Sequence, residues 1–318
     1  MAPEHEVAMR KLSLLGVAFA LLCALSYSVN PVLGKLAYAY GLTTVTILQG
    51  RFFFAVLGMM LVFPFIDKTV VKPTKGELKS SFIIGVLILV PMNMLYVFSL
   101  KGIPASLMSL ITYLYPLAVL LMSRVLLGKS IRKNQALSIG LIVLGGFCVF
   151  SDALMVHIEM TTLAIAIVAM LCYALYMVAF EGLGNGKNPF HMTFWTLLIC
   201  TVGLFFIPSG QSLFSLNVAQ WGVCLAYGVI STIFATVFLF LAIDKLGATE
   251  AGIFCSFEPI FTILFSALIL GEDITLVRLL GMLLLVGAIV IPNYRELFRS
   301  RRQTVAHRIV GMEKVSKS

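Results

Sequence analysis

The stretch 253–271 reads IFCSFEPIFTILFSALILG and decides the fold class. It is apolar and has the length that a helix needs to cross the hydrocarbon core of a bilayer. Its one charged residue, Glu258, lies near the middle and is followed by Pro259. A carboxylate at that depth faces the protein interior or water, and a proline frees polar backbone groups around it. The stretch therefore predicts a membrane helix that carries a functional side chain.

An earlier stretch has the same layout. Residues 107–128 read LMSLITYLYPLAVLLMSRVLLG, with Tyr115 and Pro116 near the middle. A shift of the first half by 143 positions places Pro116 on Pro259 and Gly128 on Gly271. Two proline-broken helices at matching places in two halves of a chain are typical of a transporter with its binding site between internal repeats.

The composition excludes several other classes of protein. Of 318 residues, 60% are hydrophobic and only 12% are charged, whereas soluble domains carry about 25% charged residues. The apolar runs do not alternate as barrel strands do. No basic face interleaved with aromatic residues is present, so we expect no nucleic-acid partner. All six cysteines fall inside apolar runs, and we expect no disulfide framework, metal site or cofactor.

The hydropathy pattern predicts an all-α polytopic membrane protein with ten transmembrane helices. The predicted spans are 12–33, 44–66, 80–99, 103–127, 136–150, 161–180, 190–208, 218–242, 248–270 and 276–293. They divide into a first five-helix repeat, 12–150, and a second, 161–293. The remaining segments are a short N-terminal segment, 1–11, and a basic tail, 294–318. Because each repeat has an odd number of helices, the two repeats must be inverted relative to each other.

The distribution of basic residues predicts the orientation. If the N-terminus is cytoplasmic, most Lys and Arg residues outside the spans fall on the cytoplasmic side, and only Lys35, Lys101 and Arg278 fall outside. This bias is the one that membrane proteins show, so we expect both termini in the cytoplasm. The basic tail is then placed to contact anionic lipid headgroups. The predicted loops lack N-x-[ST] sites, which fits a bacterial inner membrane.

Over residues 12–293 the chain resembles the EamA-type members of the drug/metabolite transporter superfamily. The resemblance is carried by the two five-helix halves, the Pro116 and Pro259 helices, and short motifs. These motifs are Arg51-Phe52, Ser256-Phe257-Glu258-Pro259 and Leu270-Gly271-Glu272. Lys129 departs from the family pattern, which often has an acidic residue at that place in the first half. The resemblance implies export or exchange of small metabolites through a central cavity, without ATP.

Two charged residues are the first candidates for substrate binding. Glu258 could bind a substrate amine or a coupling proton, and its alternative role is a structural carboxylate tied to a neighbouring helix. Arg51 lies about two turns into the second span, where it could hold a carboxylate or phosphate bidentately. Its alternatives are to extend toward the outer interface or to pair with Glu258.

Polar and aromatic residues in the spans complete the candidate site. An asparagine inside the membrane needs a polar partner, so we expect such residues to face the helix bundle and to contact either substrate or another helix. Tyrosines in the same spans could line an aromatic cavity or pack structurally. The candidates are Asn30, Asn93, Tyr96, Tyr113, Tyr115 and Tyr176.

These observations favour a secondary active transporter that exports or exchanges small metabolites by alternating access around a mid-membrane site. Amino acids or amine-bearing compounds suit one carboxylate among tyrosines, and coupling to protons through Glu258 is a subsidiary hypothesis. A channel or facilitative pore is the first alternative, although no ring of like charges is evident. An intramembrane enzyme is the second alternative, although the sequence contains no hydrolase, metalloprotease or kinase signature. We therefore do not expect an enzyme.

Overall fold

The computed structural model describes residues 13–66, 68–103, 108, 111–149, 159–262, 264, 275–277, 279–288 and 291. These residues form helices joined by short connections, and no strand occurs among them. The N-terminal segment 1–11, the basic tail 294–318, the Leu270-Gly271-Glu272 motif and Arg278 lie outside the described residues.

The first half contains seven α-helices and a π-helical segment in its described residues. In chain order these are α1 Leu14–Tyr27, α2 Asn30–Ala39, α3 Thr44–Ile66, α4 Lys75–Phe82, the π segment Ile83–Leu89, α5 Val90–Gly102, α6 Tyr115–Leu127 and α7 Lys133–Val149. Several ends follow local sequence signals. Thr74 and Glu77 form a capping box at the start of α4. Gly128, with a φ of 66°, ends α6 in the left-handed conformation that glycine favours.

The described residues of the second half follow a similar order. They form α8 Met160–Gly184, α9 Pro189–Phe205, α10 Val218–Gly228, a second π segment Val229–Phe234, α11 Ala235–Leu246, α12 Ala248–Cys255 and α13 Leu279–Ala288. Asn217 and Gln220 form a capping box at the start of α10. A short 3₁₀ turn, Leu213–Ser215, precedes α10.

Five helical runs are long and apolar enough to cross a membrane. They are Leu14–Ala39, Thr44–Phe63, Lys75–Gly102, Met160–Gly184 and Val218–Leu246. Shorter apolar helices occur at Tyr115–Leu127, Pro189–Phe205 and Leu279–Ala288. The protein is therefore an all-helical, integral multi-pass membrane protein, as the hydropathy pattern predicts.

Three helix breaks share one local design. The chain makes a turn at residues 28–29, 113–114 and 256–257, and helix resumes at Asn30, Tyr115 and Glu258. Each of these residues is followed by a proline, which fits there because the first turn of a helix leaves its N–H groups unpaired. The sequence predicted two of these breaks from the prolines at 116 and 259.

Beside the breaks, backbone carbonyls accept hydrogen bonds from hydroxyl groups of the opposite half. The Tyr115 hydroxyl donates to the Gly252 carbonyl at 2.8 Å. The Thr262 hydroxyl lies 3.3 Å from the Ser28 carbonyl. The Gly252 carbonyl also accepts from the Ser256 N–H at 3.1 Å and from the Ser256 hydroxyl at 2.9 Å, so polar backbone near this break is satisfied inside the membrane. The bonds from Tyr115 and Thr262 also connect the two halves of the chain beside the broken helices.

The helices pack so that the two halves interleave. Helix α1 packs against α11 and α12, helix α8 packs against α5 and α6, and α3 packs against α9 and α10. Large side chains between them are fully buried, including Phe52, Tyr176, Tyr227 and Phe240. This arrangement leaves an internal cavity among helices of both halves.

Candidate substrate-binding cavity

The cavity is lined by polar, aromatic and aliphatic side chains from both halves. The cavity has a volume of about 60 Å³ for a water-sized solute. This is several times the roughly 10–15 Å³ that one buried water needs. The lining residues are Tyr27, Asn30, Arg51, Phe52, Leu89, Met92, Asn93, Tyr96, Thr112, Tyr113, Ala169, Met170, Tyr173, Tyr176, Leu197, Thr232, Thr236 and Glu258. A cavity with few polar groups among apolar ones is typical of a small-molecule site.

The structure brings seven of the eight candidate residues to this cavity. They are Asn30, Arg51, Asn93, Tyr96, Tyr113, Tyr176 and Glu258. Tyr115 is not among the lining residues, since its hydroxyl donates to the Gly252 carbonyl. Its ring instead packs against the lining residue Tyr173, with the two ring centroids 5.0 Å apart.

Arg51 is buried and held from three directions. Its Nε donates to Thr232 Oγ1 at 2.6 Å, and its Nη2 donates to the Ser231 carbonyl at 3.1 Å. The guanidinium carbon lies 4.4 Å from the centroid of the Tyr227 ring, which is close enough for a cation–π interaction. The side chain is only 5% exposed. Arg51 therefore does not extend toward the interface, and its orientation is fixed by second-half residues.

The second π segment provides the partners of Arg51. Thr232 lies within Val229–Phe234, and its hydroxyl donates to the Tyr227 carbonyl at 3.1 Å while it accepts from Arg51 Nε. A π segment shifts the hydrogen-bond register by one residue, and such segments are frequent at functional sites. The shifted register orients the Thr232 hydroxyl and the Ser231 carbonyl toward the same guanidinium.

Arg51 Nη1 is the part of the guanidinium with the weakest contacts. It lies 3.4 Å from Asn30 Oδ1 and 3.5 Å from Asn93 Oδ1, at the long limit for a hydrogen bond. Asn93 is itself fixed, since its Nδ2 donates to the Leu89 carbonyl at 2.9 Å. Arg51 and the two asparagines whose oxygens face its Nη1 thus lie together beside the cavity, and we call these three residues the cationic side.

Glu258 lines the same cavity. Among the described residues, neither a hydrogen bond nor an ion pair involves its side-chain oxygens, and none of the ion pairs between described residues joins it to Arg51. Its backbone carbonyl accepts from Thr262 Oγ1 at 3.0 Å. The alternative of an Arg51–Glu258 pair is therefore not what the structure contains.

Aromatic rings form one wall of the cavity. The Tyr173 ring centroid lies 6.4 Å from that of Tyr27 and 6.2 Å from that of Tyr176. Tyr176 is fully buried and packs further against Phe240, with ring centroids 5.7 Å apart. The cavity thus has a tyrosine wall in addition to its two charged groups.

Some lining residues were not identified as sequence candidates for the site. Thr232 lies within VISTIF, where serine and threonine interrupt an apolar run, and that interruption is a usable signal. Tyr27 ends α1 just before the break at Asn30. Thr112 and Thr236 offered no signal beyond being hydroxyl residues in apolar helices.

Comparison with known proteins agrees with this architecture. The profile of the EamA-like transporter family matches residues 14–151 and 160–294. The threonine/homoserine exporter RhtA of Escherichia coli (strain K12) is 26% identical over 219 residues, covering 67% of this chain and 69% of that protein. The RhtA of Salmonella typhimurium (strain SL1344) is 26% identical over 200 residues, covering 62% of this chain and 65% of that protein.

A solved crystal structure has the same fold. It superposes with a TM-score of 0.71 at 15% sequence identity, covering 88% of this chain and 97% of the other. At this identity the likeness concerns the fold alone.

The helical fold and its internal cavity are those of a polytopic membrane protein. The chain belongs to the EamA-like transporter family. Membership of this family supports transport of small metabolites, and the resemblance seen in the sequence is confirmed.

Proposed function

We propose that this protein is a secondary active transporter that exports or exchanges small amino acids, or related amine-bearing compounds, by alternating access. The observation that carries the proposal is that one cavity presents Arg51 and Glu258 without an ion pair between them. Opposite charges that share a cavity and remain apart suit a ligand that carries both charges.

The chemistry of the two sides fits a zwitterion. The cationic side offers Arg51 Nη1 and the Asn30 amide to a carboxylate, and charge-assisted bonds of this kind are the stronger ones in proteins. Glu258 offers an acceptor to an ammonium group. The tyrosine wall supplies hydroxyls and ring faces for the rest of a small solute. The RhtA relatives are threonine/homoserine exporters, which agrees with this class of substrate.

We also propose that ten helices form two inverted five-helix repeats. The two ranges matched by the family profile, 14–151 and 160–294, support the proposed repeats 12–150 and 161–293. A second support is that a π segment occurs in the third helical run of each half, Lys75–Gly102 and Val218–Leu246. The basic loops favour cytoplasmic termini and a bacterial inner membrane, with the basic tail against anionic lipid.

Counterflow in proteoliposomes tests the function directly. Vesicles are preloaded with separate pools of amino acids, amines, nucleosides or organic acids, and uptake of labelled tracer is followed with no imposed gradient. We expect transient accumulation of a labelled small amino acid only with an amino-acid pool inside.

Two outcomes would contradict the proposal. Accumulation with organic acids or nucleosides alone would exclude the amino-acid assignment. Single-channel currents in a planar bilayer would instead indicate a channel, because a carrier turns over too slowly to give them.

A further inference from the structure

Four charged side chains at one end of the helices pair across the two halves of the chain. Lys129 Nζ forms an ion pair with Glu181 Oε1, and Arg132 Nη2 lies 3.3 Å from Glu250 Oε1. Both cations lie in the connection between α6 and α7, in the first half. The acids lie on α8 and α12, in the second half.

The two pairs converge on the start of helix α12. Glu181 Oε2 accepts from the Ala248 N–H at 3.2 Å, so an acid on α8 caps the N-terminus of α12. Gln135 Nε2 donates to Glu250 Oε1 at 3.0 Å, which ties the same turn to α7. Gly247 makes room for this, since its φ is 90° and a Cβ there would lie 2.7 Å from Glu181 Oε1.

A buried polar layer lies behind the two pairs. The hydroxyls of Ser123 on α6 and Thr249 on α12 are 3.4 Å apart. Both residues are at most 3% exposed. Beyond this layer, α12 ends at Cys255, immediately before the two-residue break that precedes Glu258. The charged pairs thus hold the helix that leads to the break before the cavity carboxylate.

We propose that Lys129, Arg132, Glu181 and Glu250 form a gate, paired when the cavity is closed at this end and separated when it opens. The proposal rests on the alternating-access mechanism above. Lys129 and Arg132 are 42% and 50% exposed, and pairs this accessible to water are individually weak. Weak pairs suit a gate, because they close the path without preventing its opening in each cycle.

The gate also accounts for the departure of Lys129 from the family pattern. An acidic residue at that position would face Glu181 and repel it. A lysine instead neutralises the acid that caps α12. In this chain Lys129 therefore stabilises the contact between the two halves.

The test is the labelling rate of a cysteine placed at position 123, directly behind the gate. Ser123→Cys protein in nanodiscs is treated with a water-soluble maleimide, and peptide mass spectrometry assigns the label, so that the six native cysteines are counted separately. We expect slow labelling in the otherwise native chain. The neutral double variant Lys129→Gln/Arg132→Gln should label about three- to thirty-fold faster, from the loss of two exposed pairs.

Two controls separate gating from general loosening. Lys129→Arg/Arg132→Lys keeps both charges and should label within about twofold of the native rate. Lys245→Gln removes a lysine paired with Asp244 of the same helix, and should leave the rate unchanged. The gate is excluded if the neutral double variant labels no faster than Lys245→Gln, or if the charge-conserving double variant labels as fast as the neutral one.

Salt gives a second measurement on the native gate. Raising the ionic strength from about 0.1 M to about 1 M shortens the screening length from about 10 Å to about 3 Å, so labelling at position 123 should rise in the native background. The neutral double variant should show no such rise, and a native rate independent of salt would count against the gate. Labelling needs no transport, so failure of the gate is distinguishable from failure of the transport proposal, which counterflow tests alone.

Discussion

Arg51 and Glu258 differ in how many neighbouring groups hold their charged ends. Arg51 donates to Thr232 and the Ser231 carbonyl and lies on a tyrosine ring, so most of its binding capacity is used to fix its position. The Glu258 carboxylate, within the described part of the chain, has no such partner and lines the cavity. We interpret the first as a rigid anchor for a carboxylate and the second as the group that responds to what occupies the cavity.

Replacing Arg51 with lysine should weaken substrate binding. Lysine keeps the charge. Its single ammonium group, however, cannot donate to Thr232 and to a substrate in the fixed geometry that the planar guanidinium provides. Loss of one charge-assisted hydrogen bond is worth roughly 1.5–3 kcal/mol, so we expect the half-saturating substrate concentration in counterflow to rise by about tenfold or more. Arg124→Lys, at an exposed arginine near the end of α6, is the matched control. Equal half-saturation in both variants would show that Arg51 does not contact substrate.

Replacing Glu258 with glutamine should separate proton coupling from substrate exchange. Glutamine still accepts a hydrogen bond from an ammonium group but cannot carry a proton at neutral pH. We expect Glu258→Gln to lose transport driven by an imposed pH gradient while retaining exchange of substrate for substrate. Glu159→Gln, an exposed carboxylate before α8, should retain both activities. Full pH-driven transport in Glu258→Gln would show that this carboxylate is not the coupling site.

At the scale of elements, close helix contact positions the anchor. Helix α10 approaches α3 so closely that a Cβ on Gly228 would lie 2.6 Å from the Arg51 carbonyl and 2.8 Å from Phe54 Cβ. Gly228 immediately precedes the π segment that carries Thr232. The glycine therefore sets the distance between Arg51 and the residues that hold it.

Gly228→Ala should destabilise the fold and weaken binding together. Forcing a methyl group into a packed helix contact costs typically about 1–3 kcal/mol, and the shift of α10 should lengthen the Arg51–Thr232 bond. Gly222→Ala lies on the same helix with nothing within 4 Å of the added Cβ, so it should be neutral or slightly stabilising. Thermal unfolding in detergent and half-saturation in counterflow measure the two effects. A Gly228→Ala protein as stable as Gly222→Ala would contradict this packing argument.

At the scale of the whole molecule, both halves contribute to the cavity, so a bound substrate should stabilise the entire fold. Asn30, Arg51 and Asn93 come from the first half, whereas Thr232 and Glu258 come from the second. A ligand that contacts both sides adds its binding free energy to the contact between halves. The same interleaving places the gate residues of one half on acids of the other.

A zwitterionic substrate should therefore raise the unfolding temperature more than analogues that lack one charge. At about 100 times its dissociation constant, a ligand adds about 2.7 kcal/mol of stability. The amide of the same amino acid keeps only the ammonium group and the N-acetyl form keeps only the carboxylate, so each should give a much smaller shift at equal concentration. Equal shifts with the N-acetyl form would show that Glu258 does not bind an ammonium group.

The sequence alone determined the class of protein, two of the three helix breaks and the charged residues that lie inside membrane helices. These features depend on local rules, because hydropathy and proline act within a single helix. Most of the residues that we predicted for the site do line the cavity, because polar side chains in apolar helices must face the interior. The inverted ten-helix arrangement stays a prediction.

Only the tertiary structure decided which of these side chains meet. Arg51 and Thr232 are 181 positions apart, and Lys129 and Glu181 are 52 apart. Whether Arg51 pairs with Glu258, whether Tyr115 faces the cavity, and which acid Lys129 neutralises all depend on the rotation and packing of separate helices. No local pattern encodes that rotation, because it results from the sum of many contacts across the bundle.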